Sequence, residues 1–154
     1  MTQEEKDLLL KDLCGRLLYD VKVHAKYIDT DNNTKTEKVG VLSMIDNDAV
    51  IAFTCNDDTN CYNYVAIHEV KPYLFPLSSM TEEQYNSLHE SGILDNCSHS
   101  YEYVNSHIYG VSFIFKEFKT YSLELIEWLN KNHFDYRGLI PLGLAKDATN
   151  LNIY

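Results

Sequence analysis

Between Tyr19 and Tyr27 the chain alternates with a period of two. Tyr19, Val21, Val23, Ala25 and Tyr27 are apolar, whereas Asp20, Lys22, His24 and Lys26 are polar. Successive side chains of a strand point to opposite faces, so this stretch reads as a β-strand with one dry and one wet face. Polar, asparagine-rich residues 30–36 make a turn into a second strand over residues 37–45. Asp46-Asn47-Asp48 then connects to a third strand over residues 49–55, and the polar loop 56–60 leads to a fourth over 62–70. Sequential strands joined by short polar turns predict an antiparallel meander.

Helical patterns flank the meander. Thr2 followed three residues later by Glu5 is a capping box, and Leu9, Leu10, Leu13 and Leu17 recur at helical spacing, with Gly15 as the expected stop. Thr81 and Gln84 form a second box before a short helix that closes near Gly92. Ser122 caps a third helix, with Leu123, Ile126, Trp128 and Leu129 inward and Glu124, Glu127 and Asn130 outward. Between the meander and the second helix, Lys71-Pro72-Tyr73-Leu74-Phe75-Pro76-Leu77 is expected to end the sheet, because its prolines lack the N–H that a ladder needs. Residues 93–107 fit no single period, and residues 108–118 suit either a strand or a buried helix.

The fold class is therefore α+β, one domain over residues 1–154. A helix precedes a four-to-five-stranded meander curled into a sheet or SH3-like barrel over residues 1–80, and a mostly helical half follows over 81–154.

The densest group of specialised residues is His133-Phe134-Asp135-Tyr136-Arg137-Gly138-Leu139-Ile140-Pro141-Leu142-Gly143-Leu144-Ala145. Its apolar content implies that it docks on the body rather than remaining solvated. Asp135 is placed to cap a short helix through residues 139–140, and Arg137 to bind carbonyls or a carboxylate. His133, Asp135, Tyr136 and Arg137, with Lys71 and Tyr73, are the candidate binding or anchoring residues.

Composition narrows the function. Thirteen basic residues against 23 acidic ones give a net charge of −10, and no basic run exists to neutralise phosphates, which argues against direct binding to nucleic acid. Such a charge suits a basic protein partner, imitation of nucleic acid toward a DNA-binding protein, or simply solubility. Twelve tyrosines, twice the number of phenylalanines, suit half-wet sheet faces and contact surfaces. Residues 1–12 lack the basic start and apolar run of a signal peptide, and no window suits a membrane span. Cys14, Cys55, Cys61 and Cys97 lack the spacing of a secreted disulfide scaffold, so free thiols in a reducing cytoplasm are expected, with Cys14 in the core.

Catalytic signatures are sparse. Cys97-x-His99 with His107 lacks the paired cysteines of a zinc site, and Cys55 and Cys61 flank a loop with no further ligand pattern. The acidic group Asp46, Asp48, Asp57 and Asp58 lacks EF-hand spacing, and no phosphate-binding glycine loop is present. No metal or cofactor is expected, and no catalytic residue is assigned.

Three blocks carry a resemblance: Asp7-Leu-Leu-Leu-Lys-Asp-Leu-Cys14, the stretch from Val70-Lys-Pro-Tyr-Leu-Phe-Pro through Thr81-Glu-Glu-Gln-Tyr85, and His133 through Ala145. Together they resemble a group of small uncharacterised proteins from gut anaerobic bacteria and their phages and mobile elements. Residues 96–119 lie outside the match. The resemblance implies a bacterial or phage cytoplasmic source and no mechanism.

The leading expectation is a non-enzymatic protein-interaction domain, with a homo-oligomer as one form. The alternatives are a small-ligand binder, such as one that sequesters a nucleotide, using Tyr62, Tyr64, Tyr73, Lys71 and Arg137, and an enzyme built on His133, Asp135 and Arg137.

Overall fold

The computed structural model describes residues 1–154 apart from 30–32, 47–49, 56–61 and 107–109. In chain order its elements are α1 (Gln3–Arg16), β1 (Lys22–Asp29), β2 (Thr34–Ile45), β3 (Val50–Cys55), β4 (Tyr62–Ala66) and β5 (Val70–Pro76). There follow α2 (Glu82–Glu90), β6 (His99–Ser106), β7 (Gly110–Phe118), α3 (Leu123–Lys131), β8 (Phe134–Asp135) and β9 (Lys146–Asp147). Two compact units divide the chain: Met1–Leu74 with Arg137–Tyr154, and Phe75–Tyr136.

In the first unit the capping box holds α1 as expected. Thr2 Oγ1 accepts from the Glu5 N–H at 3.2 Å, and the Glu5 carboxylate accepts from the Thr2 N–H at 2.7 Å. The helix does not stop at Gly15. It runs on to Arg16, whose guanidinium reaches back one turn to Asp12, and the left-handed backbone comes later, at Asp20 (φ 51°).

Strands β1 to β4 form the expected antiparallel meander; the turns predicted around residues 30–36, 46–48 and 56–60 fall largely outside the described residues. The fourth strand ends at Ala66, where the 3-10 turn Ile67–Glu69 interrupts it. The proline-bearing segment then overturns the expectation that it ends the sheet. As β5 it pairs antiparallel with β1 over Val70–Pro72 and parallel with β9 over Tyr73–Leu74. Pro72 is the last residue paired to β1, and Pro76 is the last residue of the strand, so both missing donors fall at ladder ends.

The order β4-β3-β2-β1-β5 is open; among the described residues no pairing closes it into a barrel. One face of this sheet is dry. Val23, Ala25, Ile51, Phe53, Val70 and Leu74 are buried there with Leu9 and Leu13 of α1 and Leu139, Leu144 and Ala145. Each large apolar side chain so covered contributes about 1.5–3 kcal/mol. Gly40 allows the closest approach in the sheet: a Cβ there would run into the Thr54 carbonyl and the Phe53 ring.

In the second unit the Thr81–Gln84 box caps α2, and Gly92 (φ 74°) follows its end, as the sequence predicts. The unreadable stretch proves to be a hairpin, β6 antiparallel to β7, with a register shift between Ser100 and Tyr101. This half is therefore not mostly helical. Ser122 caps α3, and Leu125 and Leu129 are its buried apolar residues, one turn apart. Leu123, expected inward, is exposed, because as the first helical residue it lies off that stripe; Asn130, expected outward, is buried. No helix follows Asp135. Phe134 and Asp135 are extended and pair parallel with Phe75 and Pro76, and residues 136–145 proceed through turns. Phe75, Leu88, Phe115, Leu125, Leu129 and Phe134 belong to this unit's apolar core. No helix among the described residues is long and apolar enough to cross a membrane.

Candidate functional site

The hairpin places an aromatic face beside α2. Tyr101 and Tyr103 of β6 stand opposite Phe115 and Phe113 of β7, and all four project to the same side because they are two apart along each strand. Tyr85 of α2 sits 4.9 Å from the Tyr101 ring and 5.3 Å from the Phe113 ring. The Tyr103 hydroxyl donates to Glu82 Oε1 at 2.8 Å, and this bond raises the phenol's pKa because it would be lost, and repulsion gained, on ionisation. Phe115 is fully buried, but burial fades toward the hairpin tip: Tyr101 is 44% exposed, Tyr103 52% and Val111 65%. Among the described residues no strand pairs with the outer edge of either β6 or β7. Aromatic surface and unpaired strand edges thus coincide.

The unit that carries this face is acidic, and Glu82 touches the face through Tyr103. Residues 75–136 hold nine carboxylates, among them Glu82, Glu83, Glu90 and Glu102, against three lysines, giving −6 of the chain's −10. Glu102 pairs with Lys116 across the opposite face of the hairpin.

The residues singled out in the sequence fall in both units. His133 takes a left-handed backbone (φ 58°), and its carbonyl accepts from the Phe75 N–H at 2.9 Å. Asp135 is buried in its pairing with Pro76, and the Tyr136 ring lies 5.8 Å from Tyr121. Arg137 belongs to the first unit, where its Nε lies 3.4 Å from Asp12 Oδ1. His133 and Asp135 thus take part in main-chain pairing with Phe75 and Pro76.

Lys71 and Tyr73 lie two apart on β5 of the first unit, Lys71 half-buried and Tyr73 buried. Lys71 is cross-strand partner to His24, and Tyr73 to Lys146. The Lys146 ammonium lies 5.6 Å over the Tyr73 ring, and the His24 ring meets Tyr73 edge-on at 6.4 Å. Glu37 of β2 accepts from Lys26 at 2.7 Å and contacts His24 Nε2 at 3.0 Å. Burial, seconded by Lys146, lowers the His24 pKa, with Glu37 pulling the other way. Sequence reading recognised His24 and Lys26 as a wet face; the cross-strand register that brings Lys146 and Glu37 to them has no local signal. Tyr64, proposed for a pocket wall, is exposed on β4, and the Tyr62 side chain lies outside the described set.

Metal readings gain nothing. His99 contacts the Cys97 carbonyl through Nδ1 at 3.0 Å and the Tyr85 hydroxyl through Nε2 at 2.9 Å, and no metal-holding group occurs among the described residues. His107, Asp48, Asp57, Asp58, Cys61 and the Cys55 side chain lie outside them. Cys14 is exposed rather than in the core, since it follows the buried Leu13 around the helix; Cys97 is buried with its thiol toward the Ile93 carbonyl.

Comparison with protein-family models, with curated proteins and with solved structures finds no match to this chain.

Proposed function

We propose that this chain is a non-enzymatic, cytoplasmic protein-interaction domain of a bacterium, phage or mobile element, and that it docks a basic protein on the β6–β7 hairpin. The observation that carries the reading is the tip of that hairpin, where Tyr101, Tyr103 and Val111 leave apolar surface in water within a unit of net charge −6. Exposed aromatic surface on an acidic unit suits an interface, and an unpaired strand edge can accept an extended segment through main-chain hydrogen bonds. Negative surroundings favour a cationic partner and speed its approach. Self-association is the competing occupant, but two copies would bring like charges together. The sequential order of β1 to β4 supports an SH3-like relation for the first unit as part of the same proposal, and the three resembling blocks support the source.

The test is capture from a bacterial lysate followed by cross-link mapping on the purified pair. Cross-links to a basic protein concentrated on residues 99–118 support the proposal. Cross-links confined to residues outside 75–136, or sedimentation as a stable homodimer with no partner, overturn it.

A further inference from the structure

The wet face of the first unit's sheet runs against the charge of the whole chain. A cleft of about 160 Å³ lies over β1, β2 and β5, lined by Lys26, Lys71, Lys146, His24 and His68. Glu37 and Glu69 are the acidic groups in its wall. Counting these side chains, the cleft carries +1 with both histidines neutral and +3 with both protonated, in a chain of −10. The Glu37 carboxylate is already committed to Lys26 and His24. Lys71 and Lys146, in contrast, have no carboxylate within 4 Å among the described residues, and Lys146 rests over the Tyr73 ring instead. The register makes this a built arrangement, with His24 opposite Lys71 and Tyr73 opposite Lys146 on adjoining strands. Unpartnered ammonium groups held together by a sheet repel one another unless an anion lies between them.

We propose that this cleft binds the phosphate group of a small molecule, with Lys71 and Lys146 as its cationic contacts and His24 and His68 as donors at its rim. Its volume is below that of drug-sized pockets, which start near 300 Å³, and suits one phosphate head rather than a whole nucleotide. Strongly hydrated lysines act on phosphate as point charges, and each imidazole adds a donor when protonated. Groups facing His24 from every side are Lys146 and Tyr73, Lys71, Lys26 with Glu37, and His68 with Glu69 of the 3-10 turn.

The experiment is an NMR titration of the full chain, following the imidazole signals of His24 and His68, with inorganic phosphate, then glycerol phosphate, each at constant ionic strength against chloride. Saturable shifts of both signals are expected. Tighter binding of glycerol phosphate identifies a phosphorylated metabolite as the ligand, and equal binding identifies free phosphate. Lys71→Gln with Lys146→Gln should weaken binding at least tenfold, and Lys71→Arg with Lys146→Arg should retain it. No saturable shift with either compound, or the same shift with chloride, overturns the proposal.

Discussion

Arg16 holds Asp12 at two points, Nε to Oδ2 at 2.7 Å and Nη2 to Oδ1 at 3.1 Å, with both side chains wholly out of water. They lie one turn apart on α1, and the same carboxylate meets Arg137. Removing Asp12 takes both of these bonds from a guanidinium that lies wholly out of water. Asp12→Ala should therefore destabilise the chain by about 3–5 kcal/mol in denaturant titration, whereas replacing Asp12 and Arg16 together with leucine and methionine should cost far less. Equal losses for the single and double variants would contradict the role of the pair.

Gly40 gives a steric prediction. Gly40→Ala forces a methyl against the Thr54 carbonyl on the neighbouring strand and should cost about 1–3 kcal/mol. A melting temperature unchanged from wild type would show that β2 and β3 part more easily than their register implies.

The Tyr154 hydroxyl donates to the Tyr73 carbonyl at 2.7 Å and accepts from the Lys22 N–H at 3.1 Å, and burial pushes its pKa well up. Tyr154→Phe removes both bonds and should cost about 0.5–1.5 kcal/mol by thermal or denaturant unfolding.

His24 makes stability depend on pH. Its pKa in the folded chain lies below the ordinary 6.5, so between the two values the unfolded chain binds more protons. Stability should rise with pH through that window and level off above about 6.5. Glu37, held low by Lys26, acts in the same sense at more acid pH, below 4.5. His24→Gln should flatten the slope just below pH 6.5, as read by unfolding at several pH values. An unchanged slope would place its origin elsewhere.

Period and caps were legible wherever one element met one environment. The alternation from Val21 to Tyr27 and the boxes at Thr2 and Thr81 needed only their own neighbours. The β6–β7 hairpin escaped because apolar Ile114 and Val104 interrupt its alternation on the face opposite Tyr101 and Tyr103. Pro72 and Pro76 hid β5, since only the partner register shows that no donor is needed there. The cationic cleft was invisible for the same reason. Lys146 lies 75 residues from Lys71 in the sequence, and pairing on β5 alone brings it there.

Docking on the hairpin is tested most directly by isothermal titration of the captured partner against the wild type and a variant carrying Tyr101→Ser, Tyr103→Ser and Val111→Ser. Thermal unfolding would first establish that the variant remains folded. Docking there predicts a loss of affinity of tenfold or more, about 1.4 kcal/mol, and a wild-type affinity that weakens as salt screens the acidic unit. Equal affinity for the two proteins would contradict it.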